Sequence, residues 1–399
     1  MVHEPAERGG WLPAAGVALR NYVIFIAVLP LWLTIAQQLG LSAAETNSFV
    51  LVGYGLSGLL GLVLALYLRQ PLLITGNLFA AIFMASLGQE FTFAQLIGAF
   101  IVAGGGVLLV SALGLSKRLA ALLPAPIVFG LLAGAIMPFV SRIFTSLGDA
   151  PLIVAGTFAA YILGHLIPGR RLPPIFPALL VGLALTAVAG QFGPAPAALS
   201  PPVPVITAPD FSLQAIITVS PVVMVLVILQ ANLPSLVFIR SEGYEPPENL
   251  VDATSGLGMM LGSFLGPVGT SLSLPATSLV AGPEAGARDV RYRAAALAAA
   301  GLLVIGLLAG IAADLSTIVP MPLLATLAGL ALVSVLMNAL GQVTKGPLRL
   351  GPLFAFAIAL SDISFLGFGP FFWALLIGTG VSLLLERQAL REVRKQAGR

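Results

Sequence analysis

The residue types best suited to chemistry are hydroxyl and amide side chains in two short stretches interrupted by glycine and proline. These stretches cover residues 71–88 and 267–282. The residues within them that could contact a ligand are Thr75, Gly76, Asn77, Thr270, Ser271 and Ser273. Because Asn and Ser are good N-caps, each stretch can form a short strand followed by a half-helix. Two half-helix N-termini facing each other, each with free N–H groups and about half a positive charge, predict a site for an anion.

Two amide side chains in another stretch could join this site. Gln230 and Asn232 lie in the otherwise apolar run 212–238, and polar side chains in membrane helices usually face the bundle interior. Hydrogen bonding between helices explains them equally well, so both interpretations stay open. Asp252 lies near the start of the next segment, where we expect an exposed acid rather than a proton relay.

The scarcity of reactive residues argues against an enzyme. The chain has no cysteine and two histidines, which excludes disulfides and thiolate chemistry and argues against a histidine metal site. A membrane enzyme would need a paired acid, base or metal constellation, and the apolar segments contain almost no acids. The sequence therefore predicts neither enzymatic activity nor a cofactor.

The composition requires a membrane environment. Of the 399 residues, 58% are hydrophobic and 9% are charged, the mean hydropathy is +1.03, and a soluble domain carries about 25% charged residues. Long apolar runs without two-residue alternation indicate helices rather than a barrel. The sequence predicts an all-α polytopic protein of about fourteen segments, the third and tenth of them broken into strand and half-helix. They are 19–39, 47–68, 71–88, 94–114, 125–147, 151–168, 174–192, 212–238, 249–266, 267–282, 291–313, 320–341, 350–367 and 369–386.

The distribution of basic residues predicts the orientation. If the N-terminus is cytoplasmic and each segment crosses once, every Lys and Arg except Arg142 falls on the cytoplasmic side, as the positive-inside rule requires. Both termini are then cytoplasmic, in an inner membrane, and the first segment is retained rather than cleaved as a signal peptide. The net charge of +3 therefore reflects topology, and no nucleic-acid partner is expected.

An internal repeat relates the two halves. Residues 114–131 and 310–327 share Gly, Leu and a Pro-x-Pro pair at a constant offset. At the same offset, Thr75 and Ser271 occupy equivalent positions. Since seven segments is an odd number, the second copy must lie inverted, which is typical of secondary transporters. We divide the chain into a first repeat (1–192), an external Pro-rich linker (193–211), a second repeat (212–386) and a basic cytoplasmic tail (387–399).

The motifs LQANLPSL, EGYEPP, GPVGTSLSLPATSLVAGPEA and FLGFGPFFWALLIG resemble those of the benzoate:proton symporter family, the BenE type. The resemblance is clearest over 212–386. It implies the fold of nucleobase–ascorbate and sulfate-type transporters, with a core domain (19–114 and 212–313) that moves against a gate domain (125–192 and 320–386). It also implies a substrate site between the third and tenth segments beside Gln230 and Asn232, and a possible homodimer.

Two features depart from the family pattern. Residues 270–273 read Thr-Ser-Leu-Ser where BenE-type members have an Asn- and Ala-rich stretch, and the eighth segment has Gln230 where nucleobase relatives have an acid. A carboxylate substrate could itself take up the proton, and the cost of removing the substrate from water would then be lower. We expect proton-coupled import of benzoate or a related aromatic carboxylate through the lipid bilayer. A carrier of nucleobases or inorganic anions, or an anion channel, remains the alternative.

Overall fold

The computed structural model describes residues 11–88, 90–167, 173–194, 203–361, 363 and 365–397. Within these residues the chain is mostly helical, with one sheet of two short strands. The first half contains α1 (Trp11–Gln38), α2 (Ala43–Leu68), β1 (Ile74–Gly76), α3 (Leu78–Ser86), α4 (Phe93–Ala112), α5 (Ser116–Leu122), α6 (Ala125–Thr145), α7 (Pro151–Leu166) and α8 (Ile175–Val188). The second half contains α9 (Leu213–Ser241), α10 (Glu248–Ser263), β2 (Thr270–Leu272), α11 (Leu274–Ala281), α12 (Tyr292–Leu307), α13 (Ala312–Ile318), α14 (Met321–Lys345), α15 (Leu350–Leu360), α16 (Pro370–Leu385) and α17 (Arg387–Ala397).

The helices are those of a multi-pass membrane protein. In the described part of the chain, 7 helices are long and apolar enough to cross a bilayer, or 8 if the bent pair α16 and α17 forms one span. Of the remaining predicted segments, 151–168, 174–192 and 350–367 contain shorter apolar helices, 249–266 contains the 16-residue α10, and 71–88 and 267–282 contain a strand followed by a short helix. Fourteen crossings remain a prediction, because these shorter elements do not span a bilayer by their length alone.

The repeated sequence has a repeated structure. Residues 114–131 and 310–327 each contain a 7-residue helix, α5 or α13. A proline then takes the N-cap position of a long helix, Pro124 before α6 and Pro320 before α14. Pro126 and Pro322 occupy the first turns of these helices, where a missing N–H costs nothing. The local chemistry of the Pro-x-Pro pair therefore sets the start of both helices.

The long helices pack in two groups. In the first helix group α4 packs against α9 and α10, while α12 packs against α1 and α2. In the second helix group α6 packs against α14 and α15, α15 packs against α16, and α7 packs against α8. The two groups meet where α1 contacts α14 and where α3 contacts α6. The short helix α5 joins α4 of the first group to α6 of the second.

The linker is tied to both halves in its described part. The backbone N–H of Asp210 donates to the carbonyl oxygen of Ala94 (2.9 Å), and that of Thr207 donates to Phe264 (2.9 Å). Residues 195–202 of the predicted linker lie outside the described residues.

A carboxylate caps α15. Glu386 follows the last residue of α16 and accepts hydrogen bonds from the backbone N–H groups of Arg349 (2.6 Å), Leu350 (2.8 Å) and Gly351 (3.0 Å). Its other donor is the hydroxyl of Ser382 (2.9 Å). Burial raises the pKa of Glu386, but these four hydrogen bonds outweigh it and hold the pKa below its usual value. The carboxylate thus satisfies N–H groups that the first turn of a helix leaves unpaired.

Candidate functional site

Two short strands bring together the stretches on which the sequence analysis focused. β1 and β2 pair antiparallel, with Ile74 opposite Leu272, Thr75 opposite Ser271 and Gly76 opposite Thr270. The N–H of Asn77 donates to Gly269 (2.6 Å), which extends the pairing beyond β1. Since β1 leads into α3 and β2 leads into α11, the N-termini of both short helices lie at this strand pair.

Asn77 connects the two halves of the site. Its Oδ1 accepts from the N–H of Ala80 (2.9 Å) and so caps α3. Its Nδ2 donates to the hydroxyl oxygen of Ser271 (3.0 Å). Asn77 and Ser271 are almost fully buried, so their side chains are occupied in holding the strand pair and the start of α3.

Gly76 is required by close packing. A Cβ atom at this position would lie 2.6 Å from the carbonyl oxygen of Gly53 and 2.8 Å from the ring of Trp32. Trp32 in turn packs against Phe49 and Tyr54, with ring centroids 5.2 and 5.9 Å away. This aromatic cluster supports β1 from behind, and a side chain on residue 76 would displace it.

The remaining hydroxyls divide into structural and available groups. Thr270 is fully buried and donates to the carbonyl oxygen of Ser255 (2.7 Å), so it fixes β2 to α10. Thr75 is half-buried and donates to the carbonyl oxygen of Gly76 (3.2 Å). Ser273 is half-buried at the N-cap position of α11, yet its hydroxyl makes no capping hydrogen bond. Ser273 is therefore the hydroxyl most available to a ligand.

Gln230 carries a buried acceptor without a partner. It lies in a π-helical segment of α9, Leu226–Asn232, which also contacts β2 and α3. Gln230 is 9% exposed, and its Oε1 has no hydrogen-bond partner in the structure. Such segments are frequent at functional sites because they redirect side chains out of the regular helical register. An unpaired buried amide costs stability, which favours a ligand-binding role for Gln230.

Asn232 supports the site from behind. Its Oδ1 accepts from the backbone N–H of Leu272 in β2 (2.8 Å). Its Nδ2 donates to Asp252 Oδ1 (2.8 Å) and to the hydroxyl oxygen of Ser255 (3.1 Å). Asn232 is fully buried and both of its amide hydrogens are used, so it fixes β2 to α9 and α10.

The expectation that Asp252 is exposed is wrong. Its exposed fraction is 2%, because the face of α10 that bears it packs against α4 and α9. The spacing in the sequence could have indicated this, because Asp252 lies on the same face of α10 as Val251, Ser255 and Met259, and all four are buried. The acid therefore belongs to the interior of the first helix group.

Comparison with known proteins identifies the relatives of the chain. The model of a family described as BenE, benzoate membrane transport protein, matches residues 14–384. The inner membrane protein YdcO of Escherichia coli is 26% identical over 323 residues, which cover 80% of this chain and 82% of YdcO. A benzoate membrane transport protein of Acinetobacter baylyi is 24% identical over 323 residues, covering 80% of this chain and 81% of that protein.

Solved structures show the same fold. The transmembrane domain of the cyanobacterial bicarbonate transporter BicA matches with a TM-score of 0.61 and 16% identity, covering 96% of this chain and 98% of that domain. The murine anion transporter Slc26a9 in its inward-facing state matches with a TM-score of 0.62 and 13% identity, covering 96% of this chain and 69% of the transporter.

Proposed function

We infer that this chain, which belongs to the benzoate membrane transport protein (BenE) family, is a secondary transporter that imports benzoate or a related small aromatic carboxylate with protons. The class of membrane transporter follows from the family and its relatives. The substrate, its coupling to protons and an inner-membrane location are our proposal. The name of the Acinetobacter baylyi relative supports the substrate, and the name of YdcO supports the location.

The observation that carries the proposal is the meeting of two helix N-termini at β1 and β2. α3 and α11 both start at this strand pair, and the first N–H groups of a helix have no partner within it. Their partial positive charges favour a carboxylate. The Ser273 hydroxyl and the Gln230 amide can add hydrogen bonds. An anion held by dipoles and neutral side chains can be released as well as captured.

The strand pairing supports an inverted repeat. Thr75 and Ser271 are opposite each other in β1 and β2, and they are also equivalent positions of the internal repeat. A two-fold axis through an antiparallel strand pair places equivalent residues opposite each other at the axis. We propose the two seven-segment repeats on this basis, with a substrate site at their interface.

The two helix groups support an alternating-access cycle. The first helix group carries β1, β2 and the π-helical segment of α9, while α6 and α14 of the second helix group face it. We propose that these groups correspond to the core and gate domains and that the core carries substrate past the gate. A channel would need a continuous polar pore, and the polar side chains at β1 and β2 form a local cluster between apolar helices, which favours a carrier.

An inorganic anion is the second candidate substrate. The solved structures with this fold are described as a bicarbonate transporter and an anion transporter. A site of N–H groups and hydroxyls would accept a small oxyanion as readily as a carboxylate. The half-buried Phe79 in the first turn of α3 favours an aromatic substrate.

Uptake by reconstituted protein tests the proposal. We expect labelled benzoate to enter proteoliposomes faster with an inside-alkaline gradient than without it, after subtraction of empty liposomes, through which benzoic acid diffuses unaided. Ser273→Ala should slow this uptake by about tenfold, the cost of one hydrogen bond to a charged group. Ser278→Ala is the matched control, because this hydroxyl bonds to Pro275 of its own helix and should transport normally. Uptake equal to that of empty liposomes would exclude benzoate, and bicarbonate would be tested next in the same vesicles.

A further inference from the structure

A second polar cluster lies behind β2, away from the helix N-termini. It consists of Ser116 at the start of α5, Asn232 in α9, and Asp252 and Ser255 in α10. All four side chains are buried. A buried acid in a membrane protein is costly and usually serves ion or proton movement, and the proposed site does not use this one.

The carboxylate of Asp252 is held by neutral donors. Asn232 Nδ2 donates to Oδ1 (2.8 Å), and the hydroxyl of Ser116 donates to Oδ2 (2.7 Å). No cation bonds to Asp252 among the side chains that the structure describes. On its own helix Glu248 is nearest along the chain, and it pairs with Arg240 of α9 (2.8 Å).

Among the side chains that the structure describes, those on the elements packed against α10 form no ion pair with Asp252. α4, β2 and the π-helical segment of α9 contain no ionisable side chain. α2 contributes tyrosines and, at its capped N-terminus, Glu45. α5 bears Lys117 and the exposed Arg118. A carboxyl surrounded in this way can exchange a proton without breaking an ion pair.

The amide of Asn232 decides where that proton sits. The backbone N–H of Leu272 can only donate, so Oδ1 of Asn232 must face it and Nδ2 must face Asp252. Oδ1 of Asp252 therefore accepts from Asn232 in both states, and Oδ2, whose partner is a hydroxyl that can donate or accept, is the oxygen better suited to carry a proton. When Oδ2 is protonated it can donate to the Ser116 hydroxyl, and a charge-assisted hydrogen bond becomes a weaker neutral one.

The hydrogen bond that changes on protonation, between Ser116 and Asp252, joins α5 to α10. Ser116 is the first residue of α5, which connects the first helix group to the second. Asp252 is also linked to β2 through the single side chain of Asn232. We propose that Asp252 is the proton-binding residue of the transport cycle, and that its hydrogen bond to Ser116 transmits proton binding to the connection between the helix groups. This inference rests on the proposed function, and it assigns the coupled proton to a carboxyl of the protein rather than to the substrate.

Comparison of driven uptake with exchange tests the inference. Asp252→Asn keeps the volume and hydrogen-bonding capacity of the carboxyl but removes its titration. In proteoliposomes we expect this variant to exchange labelled for unlabelled benzoate at wild-type rates at equal pH. An inside-alkaline gradient should no longer stimulate its initial uptake, whereas one pH unit can stimulate the wild type up to about tenfold. The exposed Asp289→Asn is the matched control and should respond like the wild type.

Two further measurements separate proton binding from a structural role. Infrared difference spectra of an acid titration should contain a carboxylic acid band in the wild type and in Asp289→Asn that is missing in Asp252→Asn. Ser116→Ala should move the pH midpoint of driven uptake upward, because the carboxylate has lost a donor that favours its charged form.

The outcomes are distinguishable. Gradient stimulation retained in Asp252→Asn, loss of exchange together with stimulation, or an unchanged infrared band each overturns the role of Asp252. Absence of any wild-type benzoate transport above empty liposomes overturns the proposed function instead.

Discussion

Replacing Asn77 with alanine should destabilise the strand pair and abolish transport. The substitution removes the cap of α3, worth about 1 kcal/mol, because the N–H of Ala80 loses its acceptor. It also removes the buried hydrogen bond to Ser271, worth about another 1 kcal/mol. The free energy of unfolding should therefore fall by roughly 2 kcal/mol, and the Tm by roughly 2–3 °C.

The assay is thermal unfolding of the purified protein in detergent, followed by benzoate exchange in proteoliposomes. Asn249→Ala is the matched control, since Asn249 is exposed on the first turn of α10 and surface substitutions change stability by less than about 0.5 kcal/mol. Asn77→Asp refines the test. It keeps the capping acceptor but not the donor to Ser271, so about half of the stability loss should return. Exchange should stay lost, because a negative charge then stands beside the anion.

A wild-type Tm for Asn77→Ala would show that this side chain does not hold β1 and β2 together. Normal exchange by Asn77→Asp would refute an anion site at the N-terminus of α3, even if the fold is as described.

Three other substitutions test separate parts of the structure. Gly76→Ala should lower the free energy of unfolding by about 1–3 kcal/mol through the clash with Gly53 and Trp32. Gly105→Ala is the control and should be tolerated, because nothing lies within 4 Å of its Cβ. Equal Tm values for both variants would contradict the packing argument. Gln230→Leu should keep or raise the Tm, because an unpaired buried amide is removed, yet abolish benzoate exchange; full exchange would make Gln230 a packing residue. Glu386→Gln should lower stability at neutral pH by about 2 kcal/mol. Because the folded pKa of Glu386 is depressed, its contribution to the free energy of unfolding is present above the unfolded pKa and is lost as the pH falls through the folded pKa. The difference in Tm between the wild type and Glu386→Gln should therefore disappear on acidification. A difference that does not depend on pH would argue against the cap.

Much of the architecture depends on local chemistry and could be predicted. The Pro-x-Pro pairs at 124–126 and 320–322 start α6 and α14 because proline suits a first helical turn. Glycine and proline at 266–269 prevent a regular helix there, and the chain leaves these residues through β2. The membrane class and the family could also be predicted, from composition and from motifs, and both are confirmed.

The roles of individual polar residues were harder to predict. Asn232 is predicted to lie beside the substrate, and the structure adds that its side chain accepts a hydrogen bond from β2. Ser273 stands at the N-cap position of α11, but its hydroxyl is not used for capping. An amide or a hydroxyl is compatible with several partners, and for Asn232 the partners came from β2 and α10.

The sequence by itself determined that the chain lies in a membrane, where its helices are interrupted and which family it belongs to, because these properties depend on apolar length, on glycine and proline, and on short motifs. Only the tertiary structure decided that Thr75 pairs with Ser271, that Gln230 keeps a free acceptor and that Asp252 is buried against Asn232 and Ser116. Burial and hydrogen-bond partners depend on which face of one helix meets another, and residues far apart in sequence supply both sides of that contact.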